Sequence, residues 1–238
     1  MNYSTTKTVA DYVTENIKTA HIFKKHGIDF CCGGGISIEK ACEKNNVNFD
    51  ELVSELSNLE KNTSYLNDYN KWELDFLIDF IINTHHKYVE ENLILLKQYG
   101  DRVAKVHGHL YSELLEIKEL IHIVAGELAS HMKKEELILF PFIKKLVNAK
   151  RDGTKVEIPN FGTVDNPIKM MEEEHDKAGD IFKRISELTN TYKTPENACN
   201  TFKALYAKLE EFEDDLHQHV HLENNILFPK AKLIEVSL

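Results

Sequence analysis

The chain has 238 residues, of which 42% are hydrophobic, enough for one large domain or a large and a small one, and its balance excludes the collagen-like, disordered and membrane classes. A formal net charge of −10 lacks the basic surface that nucleic acid or an anionic membrane would require, and leaves metal ions and proteins as partners. Four cysteines (Cys31, Cys32, Cys42, Cys199) behind a start without a basic and then apolar leader read as thiols or ligands in a reducing compartment, so a cytoplasmic protein is expected.

Residues 1–62 read as short helices. Thr8 and Asp11 form a capping signal, and Gly27 marks a helix stop after Ile22, Phe23 and His26. The run from Asp29 through Phe30, Cys31, Cys32, Gly33, Gly34 and Gly35 must be a loop, because three successive glycines are costly inside a helix. Ser37 caps the next helix, and Asn48 with Glu51 opens another that carries Leu52, Val53, Leu56 and Leu59. The polar residues 61–70 read as a linker.

From Lys71 onward the hydrophobic period is helical. Four long helices are expected at about 71–99, 110–149, 166–190 and 196–234, with residues 150–166 as the crossover between halves. No stretch alternates with period two, so the fold class is all-α: an antiparallel four-helix bundle over 71–238, preceded by a small helical domain.

One phrase occurs twice. His131, Glu135, Ile138, Leu139, Phe140 and Pro141 recur at the same spacing as His219, Glu223, Ile226, Leu227, Phe228 and Pro229, which marks an internal duplication. On a helix each His and its Glu four residues on share one face, and both pairs continue apolar stripes: Leu114, Ile117, Ile121, Val124 and Leu128 lead into the first, Leu205, Leu209, Phe212 and Leu216 into the second. Two carboxylates on core-facing stripes call for a compensating cation. His175, centred on the stripe of Met171, Ala178 and Phe182, lies 44 residues before His219, and His86 lies 45 before His131. The repeat unit is therefore a histidine followed by a His-x-x-x-Glu clamp. His85 and His86 each continue a stripe of the first helix, and periodicity leaves the choice between them open. A structural zinc needs four ligands, whereas two ions bridged by both carboxylates use all six; imidazole and carboxylate ligation favours iron, with manganese and zinc admitted by spacing alone. His107, His109, His122, His217 and His221 are expected in solvated or ligand-supporting places, and Cys42 and Cys199 in structural places on helices.

Taken with the Cys31–Cys32 glycine loop, these residues resemble the iron-sulfur cluster repair di-iron proteins, the repair-of-iron-centres family, over nearly the whole chain: a small Cys-Cys-Gly-Gly-Gly domain and then a hemerythrin-like bundle. The resemblance implies a di-iron centre with oxo and carboxylate bridges on His86, His131, Glu135, His175, His219 and Glu223. The histidine chosen by it is His86, although the family commonly has an aromatic residue where this chain has His85. It implies a cytoplasmic stress-response role, restoring clusters damaged by nitric oxide or oxidants, and a homodimer. Iron donation through candidate thiols Cys31 and Cys32, and binding or reduction of nitric oxide at the irons, are both compatible with these residues, so whether the chain is an enzyme stays open. The alternative is a bundle that binds or senses dioxygen or nitric oxide without turnover. A dithiol arm speaks against a pure carrier.

Overall fold

The computed structural model describes residues 7–60 and 68–238. Seven of the ten expected linker positions, 61–67, lie outside the described residues, and Tyr69–Lys71 form a single 3₁₀ turn. Among the described residues the only extended pairing is an isolated bridge between Thr8 and Ser37.

The local signals act where the sequence places them. Thr8 Oγ1 accepts from the Asp11 N–H at 3.1 Å and the Asp11 carboxylate accepts from the Thr8 N–H at 2.8 Å, starting α1 at Val9–Glu15. Helix α2, Thr19–Lys25, stops ahead of Gly27 at φ 68°, a left-handed position that favours glycine. Ser37 caps α3 (Ile38–Asn45), and Asn48 Oδ1 accepts from the Glu51 N–H at 3.2 Å over the first turn of α4 (Phe49–Glu60).

Four rods follow. Helix α5 runs Leu74–Ile81, widens to a π-turn at Ile82–His86, and continues as Lys87–His107. Helix α6 is Glu113–Lys134, a π-turn at Glu135–Leu139, then Phe140–Asp152. Helix α7 is an uninterrupted Asp165–Leu188. Helix α8 is Asn200–Leu222, a π-turn at Glu223–Leu227, then Phe228–Ser237. The expected spans hold to within a few residues except that α5 extends to His107. The π-turns were not expected. Two of them are explained by the repeated phrase: Pro141 and Pro229 have no N–H and their rings crowd the carbonyl four residues back, so the preceding turn widens.

Helix α5 packs on α6 and α8, and α7 packs on α6. Their buried faces form two hydrophobic bodies. One gathers Val89, Leu93, Leu128, Phe182, Phe212 and Leu216, and it is continuous with Val9, Phe23, Ile28 and Phe30 of the N-terminal helices. The other gathers Leu77, Ile78, Phe140, Met171, Ile226 and Phe228. Between them lies a polar layer. It contains every histidine and glutamate of the repeat.

Candidate metal centre

Each rod delivers its residues by phase. The stripe Leu114, Ile117, Ile121, Val124 and Leu128 of α6 leads into His131 and Glu135; the matching stripe of α8 leads into His219 and Glu223, and α7 places His175 between Met171 and Ala178. His86, His131, Glu135, His175, His219 and Glu223 are all buried, both carboxylates completely.

The six converge as two overlapping groups. His86, Glu135, His219 and Glu223 each offer an atom within 4.8 Å of the others, and so do His131, Glu135, His175 and Glu223. Both glutamates belong to both groups, which are related by the duplication: α5 exchanges with α7 and α6 with α8. Within them Nε2 of His131 lies 3.3 Å from Glu135 Oε2, Nε2 of His175 3.1 Å from Glu223 Oε2, Nε2 of His86 3.4 Å from Glu135 Oε2, and Nε2 of His219 3.1 Å from Glu223 Oε1. Nε2 of His131 and of His175 face each other at 3.0 Å. Such spacings suit neighbouring ligand atoms around ions about 2.0–2.2 Å away. Both Glu135 oxygens, Glu223 Oε2 and His86 Nε2 lack a hydrogen-bond partner despite burial. Orphaned charges of this kind are costly unless a cation collects them.

Protonation shows the same pull. Burial alone would lower the His86 imidazolium, but Glu135 and Glu223 override it and raise its pKa to about 10. Burial likewise opposes the His131 charge, and Glu135, Glu223 and Glu174 raise it to about 9. Burial pushes both carboxyls up, yet the facing imidazoles hold Glu135 below, and Glu223 well below, the usual carboxylate range. The buried carboxylates thus favour positive charge at the place a metal would take. Imidazole and carboxylate donors without thiolate fit iron.

Outer partners orient three of the four histidines. His86 Nδ1 donates to Glu136 at 2.7 Å, His131 Nδ1 to Glu174 at 3.0 Å, and His175 Nδ1 to Asn224 Oδ1 at 2.9 Å. Glu136 and Asn224 occupy equivalent places, each following a shared glutamate. Sequence reasoning missed all three, although the duplication marks the first and third. His85 is buried too, but it stays out of both groups: its Nδ1 donates to Asp215 at 2.9 Å and its ring stacks on His219 at 5.5 Å.

The cysteine loop docks beside this layer. The Asp29 carboxylate accepts from the N–H groups of Cys31, Cys32 and Gly33 at 2.8–3.1 Å, and the carbonyls of Gly34 and Ile36 accept from the Ala10 and Val9 N–H groups. A Cβ on Gly34 would sit 2.3 Å from the Phe30 carbonyl oxygen, so only glycine fits. The adjacent Cys32 thiol, burial and Asp29 all push the Cys31 thiol well up, and Cys31 is buried while Cys32 is half-buried. Asn225 Nδ2 donates to the Cys31 carbonyl at 3.1 Å, and the Asn224 amide lies 3.9 Å from Cys32 Sγ. Of His217 and His221, expected to be solvated or to support ligands, the first is half-buried and the second buried; Phe30 meets both rings in T-shaped contacts, and Asn225 contacts His221 at 3.0 Å. Cys42 is buried as expected; Cys199 is exposed just ahead of α8, 3.2 Å from His107 Nε2, and so is not a core thiol.

Comparison with known proteins gives two matches along the chain. Residues 5–60 match a domain of unknown function, DUF542, and residues 77–231 match the hemerythrin HHE cation binding domain. An iron-sulfur cluster repair protein, YtfE, of Yersinia pseudotuberculosis serotype IB (strain PB1/+) is 37% identical over 210 residues, 88% of this chain and 89% of that protein. The protein of the same name from Yersinia pestis (strain Pestoides F) is 36% identical over 214 residues, 90% of this chain and 91% of its own length.

Proposed function

The chain belongs to the iron-sulfur cluster repair family in which a DUF542 segment precedes a hemerythrin domain, and from that premise we propose that it restores damaged iron-sulfur clusters with a two-iron centre. In this reading His86, Glu135, His219 and Glu223 would hold one ion and His131, Glu135, His175 and Glu223 the other, so that both glutamates would serve both positions. One observation carries it: two four-residue groups share both carboxylates in a buried layer whose edge touches the cysteine loop. The iron pair would supply exchangeable metal and open coordination positions for a diatomic ligand such as nitric oxide.

The protein's own residues do the rest. Glu136, Glu174 and Asn224 aim the imidazoles, and Phe140 and Phe228, from the hydrophobic body that holds Leu77 and Met171, stack on His86 and His175. Asp29 gathers three loop amides and Asn225 ties the loop to α8, so Cys32 is held beside the centre. We take residues 1–62 and 71–238 as two functional units, thiol arm and metal bundle, in keeping with matches over 5–60 and 77–231. Free thiols support action in the cytoplasm. No helix among the described residues is long and apolar enough to cross a membrane.

The test is repair itself. The iron-loaded protein is added to an enzyme whose cluster has been damaged by nitric oxide, with the double variant Cys31→Ser, Cys32→Ser beside it. Recovery with the wild type and its loss in a variant that keeps its iron support the reading. Reversible binding of dioxygen or nitric oxide with no recovery would favour a carrier or sensor.

A further inference from the structure

The two halves of the centre are related by duplication, yet their surroundings differ. Phe228 stacks on His175 as Phe140 does on His86, so the aromatic covers do not separate the two positions. The openings do. A cavity of about 280 Å³ between α6 and α7 reaches His131, lined by Gly126, Ser130, Lys134, Glu174 and Ala178. Gly126, Ser130 and Ala178 leave it room, and a Cβ on Gly126 would meet nothing within 4 Å. On the other flank of the same pair, Asn224 accepts from His175 and turns its amide toward Cys32.

The opposite pair is closed in. His85 lies flat on His219, is itself held by Asp215, and meets the edge of Phe80 at 5.7 Å. The polar supports differ as well. Glu136 holds His86, whereas Glu174 shares its charge between His131 and the Lys134 ammonium, and Asn224 is neutral. A carboxylate behind an imidazole raises its basicity as a ligand, and one paired with lysine does so less.

We propose that the two positions exchange metal unequally: the ion held by His131 and His175 is the one that enters and leaves, past the cavity and the Cys32 flank, while the ion held by His86 and His219 stays. This rests on the two-iron reading. Glu174 and Asn224 are then positioning residues for the exchangeable ion, and Glu136 for the retained one.

The experiment follows release of iron from the loaded full-length protein into an excess of a ferrous chelator without oxygen. Wild type should lose iron in two phases of equal amplitude. Glu174→Gln and Asn224→Ala should each speed the fast phase by about tenfold and spare the slow one, and Glu136→Gln should speed the slow phase alone, by a similar factor. A single phase in the wild type, or Glu174→Gln and Asn224→Ala acting on the slow phase or on neither, overturns the proposal. Fewer than two irons bound by the wild type contradicts the two-iron reading itself; two bound irons with the wrong phases moved contradict only the inequality.

Discussion

At the scale of single residues, protons and metal compete for one set of atoms. With pKa values raised to about 10 and 9, His86 and His131 carry protons at pH 7.5 in the metal-free protein, and a ligand imidazole must give its proton up. Metal loading should therefore release about two protons per centre, read as a buffer-dependent heat of binding; heat independent of the buffer would contradict the charge assignment. The same shifts set a stability window. Raised folded values mean that this contribution is full below the ordinary histidine pKa of about 6.5 and is lost as pH climbs through about 9 to 10. The metal-free protein should weaken as pH rises from about 6.5 to about 10, and the loaded protein should not. In the loop, Gly34→Ala has a carbonyl oxygen 2.3 Å from the new carbon, so it should destabilise by about 1–3 kcal/mol and free the Cys32 flank, seen as faster alkylation of that thiol. The residue left undecided by sequence has a physical explanation. A π-turn at Ile82–His86 breaks the 3.6 period, so both His85 and His86 are buried and periodicity had no way to choose. Asn224 was hidden differently, since its role depends on a contact made across helices.

Elements explain why the phrase ends in proline. The His-x-x-x-Glu clamp was legible because two residues four apart share a helix face, but the rule says nothing of the wider turn that follows. Pro141 and Pro229 sit just beyond the π-turns that begin at Glu135 and Glu223. Pro229→Ala restores a backbone N–H and lets the turn tighten, which rotates Glu223 away from its partners. Helical content should hold or rise in circular dichroism while iron affinity falls by at least about tenfold, a factor typical of disturbed ligand orientation. Unchanged affinity would mean that the widened turn does not aim the carboxylate. Helix α8 also carries His221, whose burial under Phe30 lowers its pKa to about 4 against the opposing pull of the Phe30 backbone. A depressed histidine is neutral when folded, so its contribution is present above pH 6.5 and fades as pH falls toward 4, by up to roughly 3 kcal/mol. Denaturation of the metal-free protein at pH 7 and pH 4.5 should show a smaller difference in His221→Gln than in wild type.

Across the whole molecule, the metal layer divides the core and the N-terminal helices belong to one of its parts. The all-α class, the four rods and the duplicated clamp could be read from the sequence, because local caps and a 3.6 period encode them. The docking of the small helices could not. It depends on Phe30 meeting His217 and His221, on Lys24 pairing with Glu213 at 2.8 Å, and on Asn225 reaching the Cys31 carbonyl, contacts with no periodic signature. A layer of buried charge between two apolar bodies also makes folding depend on the ion. Removing iron should lower stability by about 4 kcal/mol when metal is supplied at a thousand times its dissociation constant, measured as a fall in Tm. The most direct test of the central claim is metal analysis of the purified chain, with His131→Ala and Glu223→Ala beside it. The account expects about two irons per wild-type chain and the loss of at least one in each variant; full iron occupancy in both variants would contradict it.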